Sequence, residues 1–125
     1  MVAFFLGGGF SMFIVALLGL AALGAAFRFV RAPAAETVGA LRALSAATGF
    51  GSLAGMAANL ATVCQHVPSN PTFAHDPHVG LIVLTGIGES LAPVILGFGL
   101  LTAAWLVAAL GGRSPEALAD AAARA

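Results

Sequence analysis

Apolar positions in this chain run on continuously and do not alternate with polar ones. No ionisable side chain falls within residues 2–27, a second apolar stretch covers about 43–65, and a third runs from about 79 to 110 with Glu89 as its single interruption. At 1.5 Å per residue each stretch, as a helix, is long enough to cross ~30 Å of hydrocarbon. The alternating segments that a spanning β-barrel needs are missing. The pattern therefore predicts an all-α integral membrane protein whose residues 1–112 form three transmembrane helices. The second is the poorest in large side chains, with Gly49, Gly51, Ser52, Gly55 and Asn59 near its middle. It is expected to face protein and not lipid, which predicts self-assembly through small-residue surfaces.

The polar breaks define the connections. Residues 66–78 contain Pro68, Pro71 and Pro77, each of which removes a backbone donor and disfavours helix before it, so a compact loop is expected there. After Gly111 and Gly112, Ser114-Pro115-Glu116 supplies a capping residue, a proline at the first helical position and an acid in the first turn. Residues 113–125 are read as a short tail helix.

Composition sharpens the class. Hydrophobic residues make up 60% of the 125 and charged residues 8%, far from the balance of a water-soluble domain. Eight of the ten charged residues cluster, Arg28, Arg31, Glu36 and Arg42 between the first two stretches and Arg113, Glu116, Asp120 and Arg124 after the third, leaving Asp76 and Glu89 alone. The segment 66–78 has no Lys or Arg. By the positive-inside rule the first connection and the C-terminus are cytoplasmic, and the N-terminus and 66–78 face outward. The N-terminus lacks a basic leader region, so the first apolar stretch is read as a retained helix. No basic patch points to nucleic acid, and Cys64, the single cysteine, cannot form an intrachain disulfide.

Glu89 is the residue most informative about chemistry. It lies roughly 15 Å by helical rise from the outer end of the third stretch, near mid-bilayer. A charge there costs on the order of 2.5 kcal/mol or more, so the side chain should face other helices or water. Pro93, four residues on, cannot donate to the Glu89 carbonyl, which predicts a kink beside an exposed acceptor. Two readings stand: a proton or cation station, or a neutral acid donating one interhelical hydrogen bond. In the second stretch Ser52, Gly55, Asn59, Thr62 and His66 recur at steps of three and four and share one helical face. That face either lines a polar path with Glu89 or lets helices approach closely, the role also expected of Gly55, Pro93 and Gly97. His66, His75, Asp76 and His78 match no recognised metal site. No nucleophile elbow, phosphate loop, paired carboxylates or cofactor pattern is present, so neither catalysis nor a cofactor or metal is expected.

Three segments resemble the MotA/TolQ/ExbB family of bacterial proton-channel subunits. Gly7-Gly8-Gly9-Phe10-Ser11-Met12, leading into an apolar run that ends at Arg28, is similar to the opening of the family's first helix. Ala46-Ala47-Thr48-Gly49 through Leu53-Ala54-Gly55-Met56-Ala57-Ala58-Asn59 resembles the second, and Gly86-Ile87-Gly88-Glu89-Ser90-Leu91 its Gly-Ile-Ala-Glu-Ala-Leu signature. The resemblance implies a subunit of the bacterial inner membrane, assembled as a ring, a pentamer, around a single-span partner of the ExbD, TolR or MotB kind. It places Glu89, Asn59, Thr62 and Ser52 along the ion path. The chain departs from the family in joining the first two helices by a short connection where a sizeable cytoplasmic domain is usual. Asn59 and Val94 stand at the positions of two family threonines. ATP-synthase ring proteolipids carry a similar Ala-Glu-Ala helix, but they are two-helix hairpins. A third reading is a non-conducting accessory subunit of a larger membrane complex.

Overall fold

The computed structural model describes residues 9–111 and residue 123. The start of the first apolar stretch and the expected tail helix lie outside the described residues. Among those described the chain is all-helical, with α1 at Ser11–Arg31, α2 at Ala35–Ser69, α3 at Pro71–Ala74, α4 at Val79–Ser90 and α5 at Ala92–Gly111. Two stretches, Ser11–Arg31 and Val79–Gly111, are long and apolar enough to cross a membrane. Only 28% and 17% of their most apolar windows are buried within the chain, whereas the core helix of a water-soluble protein is mostly buried. α2 has the length to span but is less apolar, because glycine, alanine, serine and threonine replace leucine and phenylalanine along it.

α2 is longer than the pattern predicts at both ends. The sequence reading starts the second span near residue 43 and treats the charges before it as connection. Only Ala32, Pro33 and Ala34 separate α1 from α2. Once Pro33 is passed, residues 35–42 contain no proline and a single glycine, so the helix starts there. Thr37 fixes that start: its hydroxyl donates to the Ala34 carbonyl at 2.8 Å and accepts from the Ala34 N–H at 3.1 Å. At the other end α2 runs through Pro68 to Ser69, and the expected loop is reduced to one short helix and its turns. Asn70 accepts from the Thr72 N–H at 3.0 Å with Pro71 at the first helical position, and Asp76 accepts from the His78 N–H at 2.7 Å.

α1 packs against α5 and α2, and α2 packs against α5 and α4. Small side chains fill the interior: Ala22, Ala25, Ala26, Ala104 and Ala108 are buried with Leu41, and Met12, Val15, Thr48 and Ser52 are buried further along. The large apolar side chains point away from it, among them Phe13, Leu17, Leu20, Phe50, Leu84, Ile95 and Leu106. That inversion suits helices packed in lipid, where close backbone approach is gained by small residues and large ones cost nothing outside. Gly97 marks the tightest crossing. A Cβ there would overlap the Ser52 hydroxyl and come within 3.0 Å of Val15 Cγ1, so three helices meet over one missing methyl group. Gly19 plays the same part against Leu100. The buried hydroxyls bond their own helix, Thr48 to the Leu44 carbonyl and Ser52 to the Thr48 carbonyl, both at 2.7 Å. Trp105 Nε1 donates across to Ser45 Oγ at 3.1 Å, tying α5 to α2.

Candidate functional site

The third apolar stretch is divided into two helices, α4 and α5. Helical hydrogen bonding breaks at Leu91, between α4 and α5, two residues before Pro93. Pro93 has no N–H to offer the Glu89 carbonyl, and the turn tightens locally, with the Leu91 N–H donating to the Gly88 carbonyl at 3.2 Å. Below the break, Pro93 and Ala92 are buried against the bundle. A Cβ on Gly55 would lie 2.9 Å from Ser11 Cβ and 3.3 Å from Pro93 Cβ, so Gly55 is occupied inside the chain and is not left as a free surface for a second copy. Above the break α4 leans mainly on α2.

Gly86 makes that lean possible. A Cβ on it would come within 2.8 Å of Val63 Cγ2, so α4 and α2 approach closely at this level, and Glu89 follows three residues later. Between the two helices runs a groove of about 480 Å³, lined by Thr62, Val63 and His66 from α2 and by Thr85, Gly86 and Glu89 from α4. Phe73 of α3 lines the end of the groove beside His66, with its ring centroid 6.3 Å from that of His66. A smaller hollow of about 260 Å³ continues on the other side of Thr62 and Glu89, reaching Asn59, Ser90 and Gly9. Gly9 adopts φ +67°, a left-handed turn that a side chain would strain, and this brings it beside Asn59, whose Oδ1 would lie 3.5 Å from a Cβ at that position.

The structure therefore gathers Glu89, Asn59 and Thr62, three of the four residues predicted for an ion path, around one pair of hollows. Ser52 is elsewhere. It is fully buried at the Gly97 crossing, its proton committed to the Thr48 carbonyl, and it does not line either hollow. The polar stripe on α2 is thus divided: Ser52 and Gly55 meet α1 and α5, while Asn59, Thr62 and His66 meet the α4 side. Two polar residues of the site escape the sequence reading, Thr85 and Ser90. Thr85 stands one turn before Glu89, and that four-residue spacing is the signal that reveals it.

The hydroxyls have a defined sense. Thr62 donates to the Ala58 carbonyl at 2.9 Å and Ser90 to the Gly86 carbonyl at 2.7 Å. Each hydroxyl has one proton to give and has given it to its own helix, so what either can still offer a group in the hollows is an acceptor lone pair. Glu89 itself is exposed on the groove, and a Cβ on neighbouring Gly88 would meet nothing within 4 Å. The loop histidines do not join it in a metal site: among the described residues no three of His, Cys, Asp and Glu come together to hold a metal ion.

No protein-family model matches the chain, and no curated protein or solved structure matches it.

Proposed function

We propose that the chain is a three-span subunit of a proton-conducting membrane complex of the MotA/TolQ/ExbB type, with Glu89 as its proton station. One observation carries this reading: a carboxyl group in the middle of an apolar span is exposed, next to a break in its own helix, on a groove that it shares with Thr62, whose hydroxyl proton is given to the Ala58 carbonyl. A carboxylate turned to lipid costs on the order of 2.5 kcal/mol or more, so a neighbouring helix or water must cover it. A ring of copies around a single-span partner of the ExbD, TolR or MotB kind supplies that cover, with the α2–α4 groove facing the next helix. Gly88, open beside Glu89, lets that helix approach closely. The complex sits in the bacterial inner membrane with the groove's Phe73 end outward and the arginine-bearing α1–α2 turn in the cytoplasm.

Proton uptake into vesicles holding the chain with its native neighbours tests the reading, which requires a flux that depends on Glu89. Absence of uptake by the unmodified complex leaves the non-conducting accessory subunit in its place. Orientation is tested separately by cysteine labelling. Glu36 in the first turn of α2 and His75 just after α3 are both exposed, and exposed Cys64 must first be replaced by alanine to remove its background. His75→Cys is expected to react with an impermeant reagent from outside the cell membrane and Glu36→Cys only from inside. The reverse accessibility overturns the topology.

A further inference from the structure

The arginine end of the bundle holds a second groove, of about 510 Å³, between α1 and the start of α2. Gly24, Ala25 and Ala40 give it an apolar lining of small side chains, and Arg28, Glu36 and Thr37 supply its polar groups. A Cβ on Gly24 would meet nothing within 4 Å, so the slot is open along that face. The Thr37 hydroxyl is already committed to the start of α2, through the Ala32 and Ala34 carbonyls. What the groove offers a ligand is therefore one guanidinium and one carboxylate, both on exposed residues, beside an apolar slot. Arg28 is the first charge met after the first apolar stretch, which puts this pair at the depth of lipid headgroups.

We propose that this groove binds a glycerophospholipid with a zwitterionic, primary-ammonium headgroup, phosphatidylethanolamine. The phosphate pairs with Arg28, the ammonium group donates to Glu36, and an acyl chain lies along Gly24, Ala25 and Ala40. Charge complementarity makes the choice among lipids. The phosphate that meets Arg28 is common to these lipids, so the choice lies in what reaches Glu36: a primary ammonium gives the carboxylate a charged N–H donor, the glycerol of phosphatidylglycerol only a neutral hydroxyl, and a choline headgroup no N–H at all. Were Arg28 and Glu36 paired only with each other, the slot would hold acyl chains with no preference for a headgroup. The inference rests on the membrane placement proposed above and is independent of proton transfer at Glu89.

The test is native mass spectrometry of the purified full chain in mild detergent, titrated in turn with phosphatidylethanolamine, phosphatidylglycerol and phosphatidylcholine. Phosphatidylethanolamine is expected to bind about fivefold more tightly than either of the others. Glu36→Gln should abolish its advantage over phosphatidylglycerol, and Arg28→Gln should weaken both about fivefold. Gly24→Leu should fill the slot and weaken all three while keeping their order. Equal binding of the three lipids by the unmodified chain, or a preference that survives Glu36→Gln, overturns the proposal and leaves the membrane placement standing. Failure to bind any of the three lipids likewise overturns the proposal.

Discussion

Glu89→Gln is expected to reduce proton uptake by vesicles containing the native complex to the level of protein-free vesicles, with the complex still assembled. The amide keeps the length and shape of the side chain and can still donate a hydrogen bond to an acceptor such as Thr62 or Ser90, but it cannot take up and release a proton. The substitution also removes an intramembrane ionisable group, so it relieves a desolvation cost and does not add one. Loss of flux with assembly intact therefore assigns the loss to proton exchange. The groove geometry adds a graded companion. Thr62→Val removes a lone-pair donor from the shared wall of the two hollows and keeps the volume. It is expected to slow uptake without abolishing it, because Ser90 and Thr85 remain. Full uptake in Glu89→Gln removes the proton-station role and leaves Glu89 as a hydrogen-bond donor within the assembly.

Gly97→Leu is expected to destabilise the bundle by about 3 kcal/mol or more, the upper range for forcing extra volume into a packed interior. The first added carbon would overlap the Ser52 hydroxyl and crowd Val15, and both belong to helices that α5 must touch to hold its place. Ser52 has no second position to retreat to, being fully buried with its hydroxyl bonded to its own backbone. Gly99→Leu is the matched control. A Cβ there would meet nothing within 4 Å, so the change should stay within about 0.5 kcal/mol. Thermal unfolding of the two variants in the same detergent measures the difference, and equal midpoints would show that the α1–α2–α5 crossing is looser than described.

The sequence discloses the class of this protein more readily than its interior. Continuous apolar runs and clustered charges point to helices, and the small residues of the middle run point to burial against protein. Ser52 and Gly55 are indeed buried between helices. The ends of α2 are misread for a local reason. Glu36 and Arg42 look like a boundary by charge, yet the alanine-rich stretch around them contains nothing that stops a helix. The separation of Ser52 from the other stripe residues has a different origin. Helical period correctly places Ser52, Gly55, Asn59, Thr62 and His66 on one face, but which neighbour meets each level of that face depends on where the partner helix breaks. The interruption at Leu91 sends α5 against one half of the stripe and α4 against the other. No periodicity within α2 carries that information. Gly86 belongs to the same category, since its role becomes visible only when Val63 is found opposite it.

Infrared difference spectroscopy of the native complex in bilayers, with Glu89→Gln as the reference, isolates the carboxyl stretch of Glu89 and reports directly whether it exchanges a proton. The proposed station requires that this band grow and fade as the pH on the outer side is changed, because the groove connects Glu89 to the Phe73 end of the bundle. A protonated-carboxyl band that stays constant across the whole accessible pH range would contradict it, leaving Glu89 as a fixed donor in a subunit that does not conduct.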